Sequence, residues 1–308
     1  MAAVVRARAL TSRCPGRAGA REIAGSRTLD DALHQLAGTP YGRYARASVT
    51  LPEAQRAVTA TLLWHLRVLA GWLPHGGARL LRPLASGFEI ANVASRLPVQ
   101  GGGSPAPKTP VWEPYRLGAL ETAWRSLEGA ATPAELRAAL AASPWGDPGA
   151  ETPWALITGM RMAAARRTAA AVPSARRWAQ GRAALLTARE RFVYQRSLPA
   201  AVRRDAVALL GPRAVDAASF ADFRDNLPVT ARWVLTKTEE PGGLWRAEAH
   251  WWQVLDQDGS TTLRAGRHGA RSVVAPVAVL SVDAWRVRAA LESAARGGRP
   301  LEEWDALV

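Results

Sequence analysis

The sequence predicts an all-α protein, and three observations support this. Ala, Leu and Arg dominate while Phe and Tyr occur only four times each, and the three common residues lose little conformational freedom in a helix. Apolar residues recur at helical spacing between residues that start and stop helices. One such helical phrase occurs twice, at residues 28–42 and 132–146, and the copies align without a gap.

The first copy reads TLDDALHQLAGTPYG. Thr28 is expected to cap a helix by binding a free N–H of the first turn, and Asp30 and Asp31 suit the positive helix start. Pro40 and Gly42 are expected to end the segment. The predicted apolar stripe consists of Leu29, Ala32, Leu33 and Leu36.

The second copy reads TPAELRAALAASPWG. Thr132 takes the cap position, Pro133 the first helical position, and Glu135 offers a capping-box carboxylate. A fainter third copy begins at Ser219, within SFADFRDNLPVTARW. The sequence therefore predicts two clear copies of one helical unit and one that has drifted.

The copies lie too far apart for a solenoid repeat and indicate a duplicated or triplicated helical lobe. The segment QGGGSPAPKTPVWEP is a linker by composition. The predicted organisation is lobe 1 at 1–99, a linker at 100–114, lobe 2 at 115–205 and lobe 3 at 206–308.

Other segments also favour helices. Residues 51–72 predict one long helix, 155–205 two helices divided near Pro173, and 275–296 one or two helices. Residues 233–263 are ambiguous between a hairpin and short helices, and we interpret them as helical.

The net charge is +14 and the isoelectric point about 11.3. This excess suggests an acidic partner, namely nucleic acid, an anionic membrane surface or an acidic protein. The alternative is a solvated, arginine-rich surface. Arginines are densest between residues 161 and 213, with no nucleic-acid recognition motif. The candidate interface residues are Arg161, Arg166, Arg167, Arg176, Arg177 and Arg182.

Patterns that indicate catalysis are missing from the sequence. The five histidines lack metal-ligand spacing, and there is no phosphate-binding loop and no nucleophile elbow. Cys14 is the only cysteine, so it cannot form an internal disulfide. The longest apolar stretch, residues 61–73, contains His65 and Arg67 and is too short to span a bilayer. We predict neither an enzyme nor a membrane-spanning protein, and no cofactor or metal.

Four segments together carry a resemblance to a known family. They are RARAL at 6–10, the phrase at 28–42, FEIANVASRL at 88–97 and VDAWRVRAALESAARGG at 282–298. Their order and spacing resemble the C/d family of central-stalk subunits of V/A-type ATPases. The resemblance implies three related helical lobes in a pseudo-threefold, funnel-shaped array. It makes the helices of Glu89 and Asp283 equivalent, in lobes 1 and 3.

The resemblance also implies a function. Members of the C/d family are non-catalytic and couple the rotor shaft of the ATP-hydrolysing part to the membrane proteolipid ring. Whether the ring transports protons or sodium ions is left open. The chain would be cytoplasmic and peripheral at the inner face of the cell membrane, with its arginines facing an acidic stalk. The alternative is a basic, all-helical nucleic-acid-binding protein.

The N-terminal stretch has two interpretations. Its arginines, with no acid before Glu22, are typical of a mitochondrial transit peptide. The resemblance instead makes it the first helix of the fold, which we favour. That helix is expected to turn Val4, Val5, Ala9 and Leu10 inward and Arg6, Arg8 and Arg13 outward.

Overall fold

A computed structural model describes residues 2–45, 50–73, 77–97, 112–265, 270–298 and Trp304. Within those ranges the chain forms helices and turns and no strand, so the predicted all-α class is confirmed. The chain divides into two compact units, of which unit 1 comprises Met1–Leu81 with Trp252–Val308 and unit 2 comprises Arg82–Trp251.

Unit 1 combines helices from both ends of the sequence. Its helices are α1 (Ala2–Thr11), α2 (Gly16–Ala24), α3 (Leu29–Ala37), α4 (Leu51–Gly71), the first part of α5 (Gly77–Leu84), the second part of α15 (Leu244–Arg264) and α16 (Ala270–Ala295). The C-terminal helix α16 packs against α1, α2, α3 and α4. Leu36, Val58 and Leu291 are completely buried together in this core, so N-terminal and C-terminal segments form one hydrophobic core.

Unit 2 contains the middle of the chain. Its helices are the end of α5, α6 (Ser86–Ala94), α7 (Trp124–Leu127), α8 (Pro133–Ala141), α9 (Pro153–Ala171), α10 (Arg176–Ala188), α11 (Ala200–Leu210), α12 (Pro212–Val215), α13 (Phe220–Asp225), α14 (Val229–Arg232) and the first part of α15. Helices α9, α10 and α11 pack against one another. Met162, Ala183 and Phe223 are fully buried in the core of this unit.

The longer helices lie where the sequence predicted them. Helix α4 fills residues 51–71, and α9 and α10 are divided by a 3₁₀ turn at Pro173–Ala175. The ambiguous segment 233–263 folds as helices joined by a turn, as we interpreted it. Only 112–114 of the predicted linker fall among the described residues. The three-lobe, funnel-shaped arrangement stays a prediction.

The inward face of α1 differs from the prediction. Val5 is 66% exposed and Ala9 is exposed, whereas Ala7 is 2% exposed. Helix α1 packs against α16 and α4. The small, buried Ala7 and the half-buried Leu10 lie three residues apart on one face of α1. The outward-facing arginines were predicted correctly, and they are Arg6, Arg8 and Arg13.

The glycines that end the two repeated phrases serve different needs. A Cβ atom at Gly42 would collide with the backbone of Ala37, at the end of α3. Gly146 has open space around it but a φ of +77°, in the left-handed region that favours glycine. The same residue type thus permits a close approach in one copy and a left-handed turn in the other.

Candidate functional site

The repeated phrase begins in the same way in all three copies. The hydroxyl of Thr28 accepts a hydrogen bond from the Asp31 amide at 3.1 Å, and that of Thr132 accepts one from the Glu135 amide at 3.2 Å. In the faint third copy, Ser219 accepts from the Asp222 amide at 3.0 Å. The predicted caps are therefore confirmed, and the third copy is a capped helix as well.

The first two capped helices are each followed by a turn in which a hydroxyl group accepts a hydrogen bond from a backbone amide. Thr39 accepts a hydrogen bond from the amide of Tyr41 at 3.2 Å, and Ser143 accepts one from the amide of Trp145 at 3.1 Å. Tyr41 is 1% exposed and Trp145 is 3% exposed. The turn thus directs the aromatic residue of each phrase into the protein.

Each of these aromatic residues donates a hydrogen bond to a buried carboxylate. The Tyr41 hydroxyl lies 2.7 Å from Oδ2 of Asp283, and Nε1 of Trp145 lies 2.7 Å from Oε1 of Glu89. Both carboxylates are almost inaccessible to solvent. Because a buried carboxylate needs donors to replace its lost hydration, these bonds fix the aromatic residue to the helix of the acid.

The same acids also bind the backbone ahead of a neighbouring helix. Asp283 accepts a hydrogen bond from the Gly16 amide at 2.7 Å, at the start of α2. Glu89 accepts from the amides of Thr122 at 2.6 Å and Ala123 at 3.0 Å, just before α7. Free amides at a helix start suit a negative charge. Each acid therefore joins its own helix to two other segments.

The two acids hold different phrases from those that their positions in the sequence suggest. Glu89 was grouped with the first phrase and Asp283 with the third. In the structure Glu89 binds the second phrase, through Trp145, and Asp283 binds the first, through Tyr41. Glu89 thus binds the next phrase along the sequence. Asp283, which follows all three phrases, binds the first one.

A third buried acid was missed in the sequence. Glu190 is 3% exposed. It lies in RERFVYQRSL at 189–198, which shares with FEIANVASRL and VDAWRVRAAL an acid at the second position and Leu at the tenth. That shared spacing was the available signal. Glu190 accepts hydrogen bonds from the side chains of Trp154 and Thr158 on α9.

In this third module an arginine takes over the contact to the capped segment. Arg191 donates to the carbonyl oxygens of Val215 and Ala217, the latter at 2.7 Å, shortly before the cap residue Ser219. The segment of the acid and the capped helix are therefore still joined, but the joining group is now a cation.

The candidate interface arginines do not act as one group. Arg161, Arg166 and Arg167 lie on α9, and Arg176, Arg177 and Arg182 lie on α10. Arg166 pairs with Asp205 at 2.9 Å. Arg167 donates to the Thr122 hydroxyl at 3.2 Å and stacks over Trp145.

The next two arginines are engaged separately. Arg176 donates to the Ala169 carbonyl at 3.2 Å, and the Arg177 guanidinium lies 4.6 Å from the centre of the Trp233 ring. Four of the six therefore make separate contacts within unit 2.

Arg161 and Arg182 come together with Arg189 around Glu248 of α15. Arg182 binds Oε1 of Glu248 at 2.7 Å, and Arg189 binds Oε2 at 2.6 Å. Burial raises the pKa of Glu248, but the two arginines outweigh it and lower the pKa to about 2. We call Arg161, Arg182, Arg189 and Glu248 the Glu248 cluster.

Arg161 gives the Glu248 cluster an excess of positive charge. Packing around its side chain lowers its pKa, and the charges of Arg182 and Arg189 lower it further. Among the described residues it makes no hydrogen bond or ion pair, although it remains exposed to solvent. Arg182 and Arg189 share the Glu248 carboxylate while Arg161 binds none, so the cluster can accept a further anionic group.

The described residues hold no group of His, Cys, Asp and Glu that could bind a metal ion. Among them His65 is buried, and burial lowers its pKa to about 4.

No described helix is long and apolar enough to span a membrane. His75 and His268 lie outside the described residues.

No protein-family model matches the chain, and no curated protein matches it.

Proposed function

We propose that this chain is a non-catalytic coupling component of a V/A-type rotary ATPase. In this role it would join the rotor shaft of the ATP-hydrolysing part to the membrane proteolipid ring, at the cytoplasmic face of the membrane. It would transmit rotation and carry out no chemical step itself. The proposal combines the resemblance to the C/d family with the repeated module of the structure.

The observation that carries the proposal is the recurrence of one hydrogen-bonded module. The bond from Tyr41 to Asp283 and the bond from Trp145 to Glu89 have the same length. In each case the aromatic residue follows a helix whose first turn is capped by threonine. Glu190 supplies a third, altered example. A family built from three related lobes would leave this pattern in its members.

The physics of the module also suits a part that transmits torque. A buried carboxylate that accepts hydrogen bonds from two other segments joins three segments, and relative movement of these segments would remove donors that replace its lost hydration. Shear between these helices is therefore costly. Such stiffness benefits a rotor element, because elastic loss between shaft and ring would uncouple hydrolysis from transport.

An affinity purification of the tagged chain from its own cell membranes tests the proposal. At moderate salt we expect the rotor-stalk subunits and the proteolipid to co-purify, as identified by mass spectrometry, and not to appear with the tag alone. The reciprocal purification through a tagged stalk component should return this chain. A rotary ATPase purified intact without the chain would contradict the proposal.

Nucleic-acid binding is the second candidate, and the net charge of +14 favours it. It predicts retention on DNA that falls steeply with salt, because each neutralised phosphate releases counterions. Nuclease treatment before the purification separates the two candidates. Partners lost after nuclease indicate nucleic-acid binding, and partners retained indicate protein contacts.

A further inference from the structure

Three large, exposed side chains lie on or next to the elements that carry Arg189 and Glu248. Val193 and Tyr194 come at the end of the π-helix Arg189–Val193, which continues α10. Trp245 lies in the first turn of α15. These three side chains are 45%, 52% and 49% exposed. Large apolar residues gathered at one surface mark interaction sites more often than isolated ones do.

The apolar side chains and the cluster belong to the same pair of elements. The π-helix begins with Arg189, which binds Glu248, and it packs against the 3₁₀ turn Pro241–Gly243 that leads into α15. Trp245 precedes Glu248 by three residues, so both lie on one side of α15.

The composition of this surface fits a protein partner of opposite charge. Trp, Tyr and Arg are the residues enriched where protein interfaces have most of their binding energy. Arg161 offers a guanidinium that no described residue binds, while Trp245 and Tyr194 offer exposed ring area on or next to the elements that carry Glu248 and Arg189.

We propose that this surface docks an acidic amphipathic helix of a partner protein. The docking surface consists of Arg161, Arg182, Arg189, Val193, Tyr194 and Trp245. Carboxylates of the partner helix would lie on the guanidiniums, and its apolar face would cover Trp245 and Tyr194.

Other occupants fit less well. A nucleic acid binds through many cations along its phosphates, whereas two of the cations here are already bound to the carboxylate of Glu248, which repels a phosphate. A second copy of the chain carries the same net charge of +14, which opposes self-association. The docking proposal does not depend on the proposed coupling function.

Binding of a labelled synthetic helical peptide, with a stripe of leucines and glutamates along one edge of that stripe, tests the proposal. Fluorescence anisotropy at low ionic strength should show saturable binding to the full chain. Arg161→Glu and Trp245→Ala should each weaken it by about tenfold or more. Arg116→Glu is the matched control, because Arg116 is an exposed arginine of the same unit, and it should leave the affinity unchanged.

A third variant is expected to act in the opposite direction. Glu248→Gln removes the internal competitor for Arg182 and Arg189, so the acidic peptide should bind several-fold more tightly. This gain cannot result from misfolding. The same peptide with lysines in place of glutamates should not bind the wild-type chain.

Four results would overturn the docking proposal. The first is that the acidic peptide does not bind, and the second is that Arg161→Glu binds it as tightly as the control does. The third is that the chain binds DNA but no peptide and that Arg161→Glu abolishes the DNA binding. The fourth is that the chain self-associates and that Trp245→Ala abolishes the self-association. A chain that co-purifies with a rotary ATPase but fails the peptide test would keep the coupling function and lose this docking surface.

Discussion

The hydroxyl of Tyr41 donates a hydrogen bond of 2.7 Å to Asp283, across 242 residues of sequence. The bond joins the turn after α3 to α16, so a helix from the C-terminal part of the chain holds the first repeat in place. Glu89 completes the second repeat by the corresponding bond to Trp145, within the middle of the chain. The repeats are therefore the same module, closed once through the chain ends and once within continuous sequence.

Tyr41→Phe tests the bond between Tyr41 and Asp283 directly. Removing the phenolic hydroxyl leaves a buried carboxyl group with one donor fewer, and the free energy of unfolding should fall by about 2 kcal/mol. Urea denaturation followed by circular dichroism measures this change. Tyr44→Phe is the matched control, because Tyr44 is 43% exposed, and a loss of equal size there would contradict the interpretation.

Glu89→Gln should have a larger effect in unit 2. The Glu89 carboxylate accepts hydrogen bonds from Thr122, Ala123 and Trp145. An amide presents its own N–H groups to some of these donors, so the free energy of unfolding should fall by about 3 kcal/mol or more. The measurement is again urea denaturation.

The exposed Glu128 provides the control for this charge change. Glu128→Gln should leave the free energy of unfolding nearly unchanged. If Glu89→Gln were equally harmless, Glu89 would not hold its module together.

The sequence predicted the parts of the fold that depend on neighbouring residues. The caps at Thr28, Thr132 and Ser219 bind amides three residues away, and the pattern of a cap is therefore complete within each phrase. The same holds for the division of α9 from α10 near Pro173, since a proline disrupts a helix locally.

The contacts that close the modules were not predictable in this way. Glu190 binds Trp154 rather than a residue of its own capped segment, so its match to Glu89 was hidden by changed partners. Glu248 lies outside the arginine-rich stretch 161–213 yet binds two of its arginines. The residues next to Arg182 and Arg189 in the sequence do not indicate that Glu248, from a distant helix, pairs with them.

The buried His65 should make the stability of the protein depend on pH. Burial lowers its pKa from 6.5 to about 4 in the folded state. As the pH falls, the unfolded chain binds a proton at His65 before the folded chain does, and this favours unfolding. The neutral His65 therefore costs no stability above the pKa of the unfolded state, and the free energy of unfolding decreases as the pH falls from there toward the pKa of the folded state. The loss amounts to about 3 kcal/mol, since one pKa unit corresponds to about 1.4 kcal/mol.

His65→Leu should remove this part of the pH dependence. Thermal unfolding of the wild-type chain and the variant, followed across that acidic range, measures the difference between the two curves. His34 is exposed on α3, and His34→Leu should follow the wild-type curve. Parallel curves for the wild-type chain and His65→Leu would show that another group causes the acid sensitivity.

Glu248→Gln should destabilise the chain in a way that depends on salt. The variant leaves Arg161, Arg182 and Arg189 together without the Glu248 carboxylate, so their mutual repulsion is less opposed. Because these side chains are partly exposed to solvent, we expect the free energy of unfolding to fall by only about 1 kcal/mol at low salt. At high salt the loss should shrink, since mobile ions screen the repulsion.

Denaturation of the variant at low and at high sodium chloride measures this difference. Glu240→Gln makes the same charge change at an exposed position and should have almost no effect at either salt concentration. A loss of stability that is equal at both concentrations would indicate disturbed packing of α15. The three arginines would then not repel one another strongly enough to attract an anionic partner, and the docking surface would lose its electrostatic basis.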